Sequence, residues 1–181
     1  MPKNHPSKSS ENFDEKEQIL QNKLKLFLTG VKNIVILTIG NEMRRDDGIG
    51  IKIFRKLKDL DTLPSSVLLL NTGTIPENFT RPIENWNPSH LLIIDAVDMG
   101  EKPGKLELIQ MDDITSITVS THKMSLALLN KYLTSKLKLK IKLLGVQIKD
   151  VSFGEGISPE LEHIPIKVAE LLNIVLKEIT Q

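Results

Sequence analysis

Residues 34–48, IVILTIGNEMRRDDG, contain the features that determine the fold. The run starts with apolar residues up to Ile39, interrupted only by Thr38, which is typical of a strand buried on both faces. Gly40 then lets the chain leave the sheet sharply, because glycine has no side chain. Helical spacing of apolar residues follows over residues 48–60. A buried strand that leads through a short loop into a helix indicates an α/β fold.

The same alternation continues along the chain. Further strands are predicted at residues 67–70, 91–96, 106–109 and 141–148. The strand at 106–109, the fourth along the chain, is expected at an exposed edge because it carries Glu107. Helices are predicted at residues 48–60, 76–86, 124–136 and 159–179, the last with Ser158 as its cap. Strands that are apolar on both faces and separated by helices specify a single three-layer domain. We expect a twisted, mostly parallel five-stranded sheet with helices on both faces.

The domain is expected to occupy residues 33–181, with residues 1–32 as an N-terminal extension. The first dozen residues are polar apart from Met1, which is typical of a disordered tail. Residues 13–29 have the apolar spacing of a short amphipathic helix that leans on the domain.

Composition excludes several kinds of site and partner. The chain has no cysteine, which excludes disulfides, thiolate zinc sites and cysteine nucleophiles. Its formal net charge of +1 gives no reason to expect a nucleic acid or an acidic membrane as partner. The longest apolar runs have the length of strands, and the N-terminus lacks the apolar core of a signal peptide. We therefore expect a cytoplasmic protein without membrane insertion.

Three side chains that can bind metal come just after predicted strands: Asp47, Asp95 and His122. In a doubly wound sheet, the carboxyl ends of neighbouring strands open into one crevice where the strand order reverses. If the order reverses between the first and third strands, Asp47 and Asp95 face each other there, and His122 can reach them from a later loop. Two carboxylates and one imidazole would form an oxygen and nitrogen metal site with open positions.

Each of these residues also has a purely structural interpretation. Either Asp46 or Asp47 could cap the helix that follows, although one helix needs only one of them. Asp95 could end its strand in solvent, and His122 could lie on the surface in the first turn of a helix. The sequence alone leaves these alternatives open.

Other polar residues are interpreted as structural. Thr74 and Glu77 have the spacing of a capping box, which outranks a catalytic role for Glu77. Asp98 is interpreted as a turn residue in AVDMG. The remaining histidines are set aside because they lie in the tail, before a strand, or on a helix face: His5, His90 and His163.

Five segments together resemble a known family, the hydrogenase maturation endopeptidases. They are IGNEMRRDDGIG (39–50), NTGTIPENFT (71–80), LLIIDAVDMGEKPGKLELI (91–109), STHKMSLALLNKYL (120–133) and GVQIKDVSFGEGISPELE (145–162). The resemblance covers about residues 33–165, which leaves the N-terminal extension outside it.

The resemblance implies a hydrolase that removes the C-terminal peptide of the [NiFe] hydrogenase large subunit precursor. It carries the family's metal ligands and catalytic positions onto Asp47, Asp95 and His122. It also implies a five-stranded twisted sheet and a precursor already loaded with nickel. Nickel would then arrive with the substrate, and zinc or cadmium could occupy the site in vitro. Either the metal assists hydrolysis directly, or it serves recognition while Asp47 or Asp95 acts as general base.

Two departures from the family pattern stand beside the expected ligands. Arg45 occupies a position where a small residue is frequent, and Ser125 one where proline is frequent. Two other functions remain as alternatives. One is a phospho-receiver switch, in which Asp95 would be phosphorylated and Lys149 would serve as the receiver's lysine. The other is a nickel-binding maturation chaperone that never cleaves.

Overall fold

A computed structural model of the protein describes residues 8–60, 62–113 and 122–180, and the side chains from residue 15 to residue 179 within those ranges. In this part of the chain, five strands form one sheet. They are β1 (Ile34–Thr38), β2 (Val67–Asn71), β3 (His90–Val97), β4 (Leu106–Gln110) and β5 (Lys140–Gln147). The order is β2-β1-β3-β5-β4, and only β4 runs antiparallel to its neighbour. The predicted five strands, and the edge position of the fourth, are confirmed.

Helices cover both faces of the sheet. They are α1 (Lys8–Phe27), α2 (Ile49–Lys58), α3 (Thr80–Trp86), α4 (Lys123–Lys136) and α5 (Ile164–Thr180). Short 3-10 turns occupy Arg45–Gly48, Pro76–Phe79, Met111–Asp113 and Pro159–Leu161. Alternate residues of β1 point to opposite sides, as strand geometry requires. Ile34 and Ile36 join α1, α2 and α5 in one apolar cluster, whereas Val35 and Leu37 join α3 and α4 in the other. The predicted three-layer domain is confirmed.

Helix α1 starts earlier than the sequence suggested and belongs to the core. The disordered tail was expected to reach residue 12, but residues 8–12 are helical and continue the helix beyond its apolar stripe. Residues 1–7 lie outside the described part of the chain. Leu20, Leu24 and Phe27 are buried in the same cluster as α5. Lys23 also pairs with Glu107 of β4 at 2.6 Å.

The last helix is shorter than predicted. A continuous helix over residues 159–179 was expected, whereas the structure has the turn Pro159–Leu161 and then α5 from Ile164. Pro165 is the reason, because it lacks the amide hydrogen that a continuous helix would use to bond Leu161. Proline is instead tolerated in the first turn of a new helix.

The strand order reverses between β1 and β3, as the predicted site requires. β1 lies between β2 and β3, so the connections after β1 and β3 diverge at their carboxyl ends and open a crevice. Helix α2 approaches this edge closely, because a Cβ on Gly50 would stand 2.0 Å from the carbonyl oxygen of Ile39. No helix within the described ranges is long and apolar enough to cross a membrane.

Candidate active site

The loop after β1 places Asp47 at the crevice. The amide of Asn41 donates to the carbonyl of Asp47 at 3.0 Å, which closes the loop. A Cβ on Gly40 would lie 2.6 Å from that same carbonyl, so the tight closure requires glycine there. The amide of Gly40 donates to Gly73 at 2.9 Å, which ties this loop to the one after β2. Asp47 is thereby held with only 2 % of its surface exposed.

Asp95 and His122 are in direct contact. Asp95 lies near the end of β3 and is fully buried, which contradicts the alternative that it ends its strand in solvent. Its Oδ1 accepts the amide of Ala96 at 2.9 Å and lies 3.2 Å from Nδ1 of His122. His122 directly precedes α4 and is only 7 % exposed, so it is not a surface histidine. The structure brings these two predicted residues together across 27 residues of sequence.

Electrostatics link all three residues. Burial by itself lowers the pKa of His122, but the hydrogen bond and the negative charge of Asp95 outweigh it and raise that pKa above its ordinary value. The charge of Asp47 raises the same pKa further, whereas Arg44 lowers it. His122 therefore holds its proton more tightly than an exposed histidine does, because two carboxylates lie near it.

The donor set suits a borderline divalent ion, since carboxylate oxygen and imidazole nitrogen both bind zinc and nickel. Among the residues that the structure describes, however, no group of three or more His, Cys, Asp or Glu side chains is already arranged to hold a metal ion. Asp95 and His122 contact each other instead. That Asp47, Asp95 and His122 bind one ion together thus stays a prediction.

The neighbouring acid, Asp46, has a different role. Its side chain is fully buried and receives four hydrogen bonds from the segment that follows β5. Oδ2 accepts from the amides of Lys149 and Asp150 and from the hydroxyl of Ser158, each at 2.9 Å, and Oδ1 accepts from the amide of Ser158 at 2.6 Å. Asp46 therefore clamps the loop of residues 40–48 to the segment of residues 148–158.

The clamp overturns two predictions. Asp46 was a candidate helix cap, but the residues that precede the local helical turns, Arg44 and Gly48, make no side-chain cap bond, and both oxygens of Asp46 are used by the distant segment. Ser158 was expected to cap the last helix, but its hydroxyl donates to Asp46 and makes no cap bond. Asp46 and Ser158, the two expected caps, are thus hydrogen-bonded to each other.

Arg45 lies in the same pair of segments. Its amide donates to the carbonyl of Gly154 at 3.0 Å, and its guanidinium Nε stands 3.3 Å from Asp150. Its φ of 44° is left-handed, a region that glycine adopts without strain. Of the small residues that the family pattern would allow here, glycine is the one that relieves this backbone strain. A pocket of about 360 Å³ opens next to it, lined by Glu42, Met43, Arg45, Gly48, Lys52, Glu155 and Gly156.

Other predicted roles are resolved by their contacts. The capping box of Thr74 and Glu77 is wrong, since the turn begins after Ile75 without a side-chain cap, and one buried oxygen of Glu77 has no hydrogen-bond partner among the described residues. Asp98 is confirmed as a turn residue, because it accepts the amide of Gly100 at 3.1 Å. Its hydrogen bonds from Gln147 and Gly100 lower its pKa.

Lys149 and the remaining histidines lie apart from the site. The ammonium of Lys149 bonds Glu160 at 2.5 Å, so it is not placed as the lysine of a phospho-receiver. His90 begins β3 at the opposite end of the sheet, where burial and Lys140 lower its pKa. His163 is exposed between the last turn and α5.

The chain is similar to known proteins over most of its length. The family model described as HycI, hydrogenase maturation protease, matches residues 51–178. The chain belongs to the hydrogenase maturation protease family. This protease is 36 % identical over 123 residues to the hydrogenase 3 maturation protease of Escherichia coli, an alignment that covers 66 % of this chain and 75 % of the relative.

Solved structures of the family have the same fold. The [NiFe] hydrogenase maturation protease HycI of Thermococcus kodakarensis superimposes with a TM-score of 0.78 at 29 % identity, covering 86 % of this protease and 99 % of that chain. The E. coli hydrogenase maturating endopeptidase HybD gives a TM-score of 0.70 at 25 % identity, with 81 % and 93 % covered. This protease is therefore a hydrolase, and neither a receiver switch nor a non-cleaving chaperone is supported by these relatives.

Sequence reasoning missed the clamp. The segment of residues 148–158 contributed to the resemblance, but it received no role. The two adjacent acids, Asp46 and Asp47, could have indicated it. The expected site needed only one of them, which left the other without a role. The sequence did not identify the partner of Asp46, because Ser158 is remote in the chain and was interpreted as a helix cap.

Proposed function

We propose that this protease removes the C-terminal peptide of a nickel-loaded [NiFe] hydrogenase large subunit precursor, in the cytoplasm. Family membership supports the reaction class. The observation that carries the assignment of the site is the buried pair of Asp95 and His122, close enough to Asp47 for its charge to act on the imidazole. Buried carboxylates and an imidazole with a shifted pKa in a crevice are typical of a reaction centre.

Asp95 orients His122. An ionised carboxylate can only accept, so the neutral imidazole donates from Nδ1 to Asp95. Nε2 is then the nitrogen that can bind a metal or accept a proton. A carboxylate that fixes the far nitrogen of a histidine is a common support for such a ligand. Asp47 supplies the second carboxylate of the site.

Nickel belongs to the substrate in this proposal, because it arrives with the precursor. A metal brought by the substrate does not require three protein ligands to be assembled beforehand. Asp47, Asp95 and His122 would contact it, and zinc or cadmium could take its place in vitro. A bound divalent ion polarises a carbonyl or lowers the pKa of water. If it serves recognition only, Asp47 or Asp95 acts as general base toward the attacking water.

The experiment is to incubate nickel-loaded precursor with wild-type protease and with Asp47→Asn, Asp95→Asn and His122→Ala, and to measure the mass of the large subunit. We expect the wild type to shorten the precursor and each variant to lose at least about 100-fold in rate, the scale of a lost acid, base or electrostatic group. Wild-type rates in all three variants would refute the site.

Matched controls are available on the surface. Asp59→Asn and His163→Ala remove the same chemical groups at exposed positions remote from the crevice. Both are expected to cleave at the wild-type rate. Metal binding by the wild type without any change in precursor mass would instead favour the chaperone.

A further inference from the structure

Helix α4, which starts directly after His122, is apolar on both faces. Its inner face packs against the sheet through Leu126, Leu129 and Leu133, which are buried. On the outer face, Met124 is 87 % exposed, Leu128 59 % and Tyr132 39 %. These three residues are spaced four apart, so their side chains form one continuous row. A surface helix ordinarily has a polar outer face.

Another exposed apolar residue precedes a turn that packs against α4. Ile75, 47 % exposed, directly precedes the turn Pro76–Phe79, and that turn packs against α4. We call Ile75, Met124, Leu128 and Tyr132 the α4 face. It begins two residues from His122 and extends away from the crevice along the helix axis. Exposed apolar side chains elsewhere, such as Leu26 on α1 and Ile174 on α5, lie on the far side of the sheet from α4.

Positive charge borders the α4 face, although the carboxylate of Glu84 hydrogen-bonds the hydroxyl of Tyr132 within it. The sequence of α4, KMSLALLNKYLTSK, contains three lysines and no acid. Lys131 and Lys136 are exposed, as is Lys138 just beyond the helix, and none of the three forms an ion pair among the described residues. A surface that complements this one would be apolar at its centre and acidic at its edge.

We propose that the α4 face is the docking surface for the folded body of the protein substrate, through an apolar patch bordered by carboxylates. The inference rests on the proposed function, because it assigns a second contact to the same substrate. Docking along α4 leaves the crevice to the segment that is cut, and it directs that segment toward His122. Large apolar side chains at the centre of an interface contribute most of its affinity, and bordering charges chiefly raise the association rate.

The test compares cleavage of nickel-loaded precursor by wild type, by Leu128→Ser, by the Met124→Ser/Leu128→Ser double variant and by Lys131→Glu. We expect KM to rise about 10-fold for Leu128→Ser and further for the double variant, as loss of one buried apolar side chain predicts, with kcat within about twofold. Lys131→Glu should raise KM more at low than at high salt. Because all these positions are exposed, thermal unfolding should match the wild type.

Leu26→Ser and Ile174→Ser are the matched controls, since they remove exposed apolar side chains from α1 and α5. Their KM should equal that of the wild type. If KM is unchanged in the double variant, or rises equally in the two controls, the α4 face is not the docking surface. The proposed function still holds in either case, provided that the wild type cleaves. A wild-type dimer that the double variant dissociates without any change in KM would also overturn it, in favour of a second copy of this chain. If the wild type fails to cleave, the proposed function itself fails.

Discussion

Ser158 donates both its amide and its hydroxyl to the carboxylate of Asp46, at 2.6 and 2.9 Å, across 112 residues of sequence. Asp47, the residue that follows Asp46, faces the crevice. Two adjacent acids of identical chemistry thus have separate roles, because one is enclosed by amides and the other lies near an imidazole.

Asp46→Asn should destabilise the protein, since an amide replaces a charge that accepts four hydrogen bonds. The NH₂ group of the new amide would face hydrogen-bond donors, with which it cannot bond. We expect a loss of about 3 kcal/mol in the free energy of unfolding, against about 1 kcal/mol for Ser158→Ala, which removes only the hydroxyl bond. Chemical denaturation measures both. Additive effects in the double variant would contradict a direct coupling between the two residues.

Gly50→Ala should cost about 3 kcal/mol of stability, because the new methyl group would stand 2.0 Å from the Ile39 carbonyl and would push α2 away from β1. Cleavage should fall as well, since Asp47 lies in the turn just before α2. Lys56→Ala, at an exposed position of the same helix, is the control and should leave stability within about 0.5 kcal/mol. Equal melting temperatures for the two variants would disprove the close contact.

Arg45→Gly should be almost neutral for stability, within about 0.5 kcal/mol, although it removes a large side chain. Glycine relieves the left-handed φ of 44°, which offsets its greater freedom in the unfolded chain, and the ion pair to Asp150 is too exposed to contribute much. Arg44→Gly is the comparison, because Arg44 has a φ of −128° and its Nε donates to Val151 at 3.2 Å. It should lose about 1.5 kcal/mol in urea denaturation. Equal losses would refute the strain.

His122 should titrate above its ordinary pKa of about 6.5 in the metal-free protein, because burial is outweighed by Asp95 and Asp47. A raised folded pKa means that the stability His122 contributes is fully present below the unfolded pKa and is lost as pH rises through the folded pKa. Asp95→Asn removes the hydrogen-bonded charge, so the midpoint should move to lower pH. NMR titration of the imidazole protons measures this, and an unchanged midpoint in Asp95→Asn would be contrary to the expectation.

Zinc binding should strengthen as the pH rises through the titration of His122, because protons compete with the metal for the imidazole and the carboxylates. His122→Ala should weaken zinc binding at least about 10-fold near neutral pH. His163→Ala, which removes an exposed imidazole, serves as the control and should bind like the wild type. Calorimetry at several pH values measures all three proteins. Equal affinities throughout would remove His122 from the predicted ligand set.

Local patterns were enough to predict the layers and the sheet. The apolar runs that became β1 and β3 are buried on both faces, and a strand with that pattern has few alternatives. Asp95 could be predicted at the end of such a run, but the run left open whether it faces the crevice or solvent. Its contact with His122 followed only from the resemblance and the assumed reversal of strand order, since no local pattern specifies which loop meets which strand.

Local patterns failed where a polar residue had a distant partner. Ser158 stands before a proline and resembles a helix cap, and Thr74 with Glu77 resembles a capping box. A side-chain oxygen satisfies whichever donor the folded chain brings nearest, and propensity describes only the donors nearby in sequence. The break before α5 is different, because it has a local cause. Pro165 alone could have indicated that the helix predicted at residues 159–179 is interrupted.

The clamp on Asp46 also depends on the order in which the chain is synthesised, because its two segments are made far apart in time. Residues 148–158 follow β5, and β4 has no strand partner in the described sheet until β5 has been made. A nascent chain that carries Asp47, Asp95 and His122 but still lacks Ser158 misses two of the four hydrogen bonds on Asp46, the residue next to Asp47. The hydrogen bonds that hold the loop beside Asp47 are therefore complete only after residue 158 has been made.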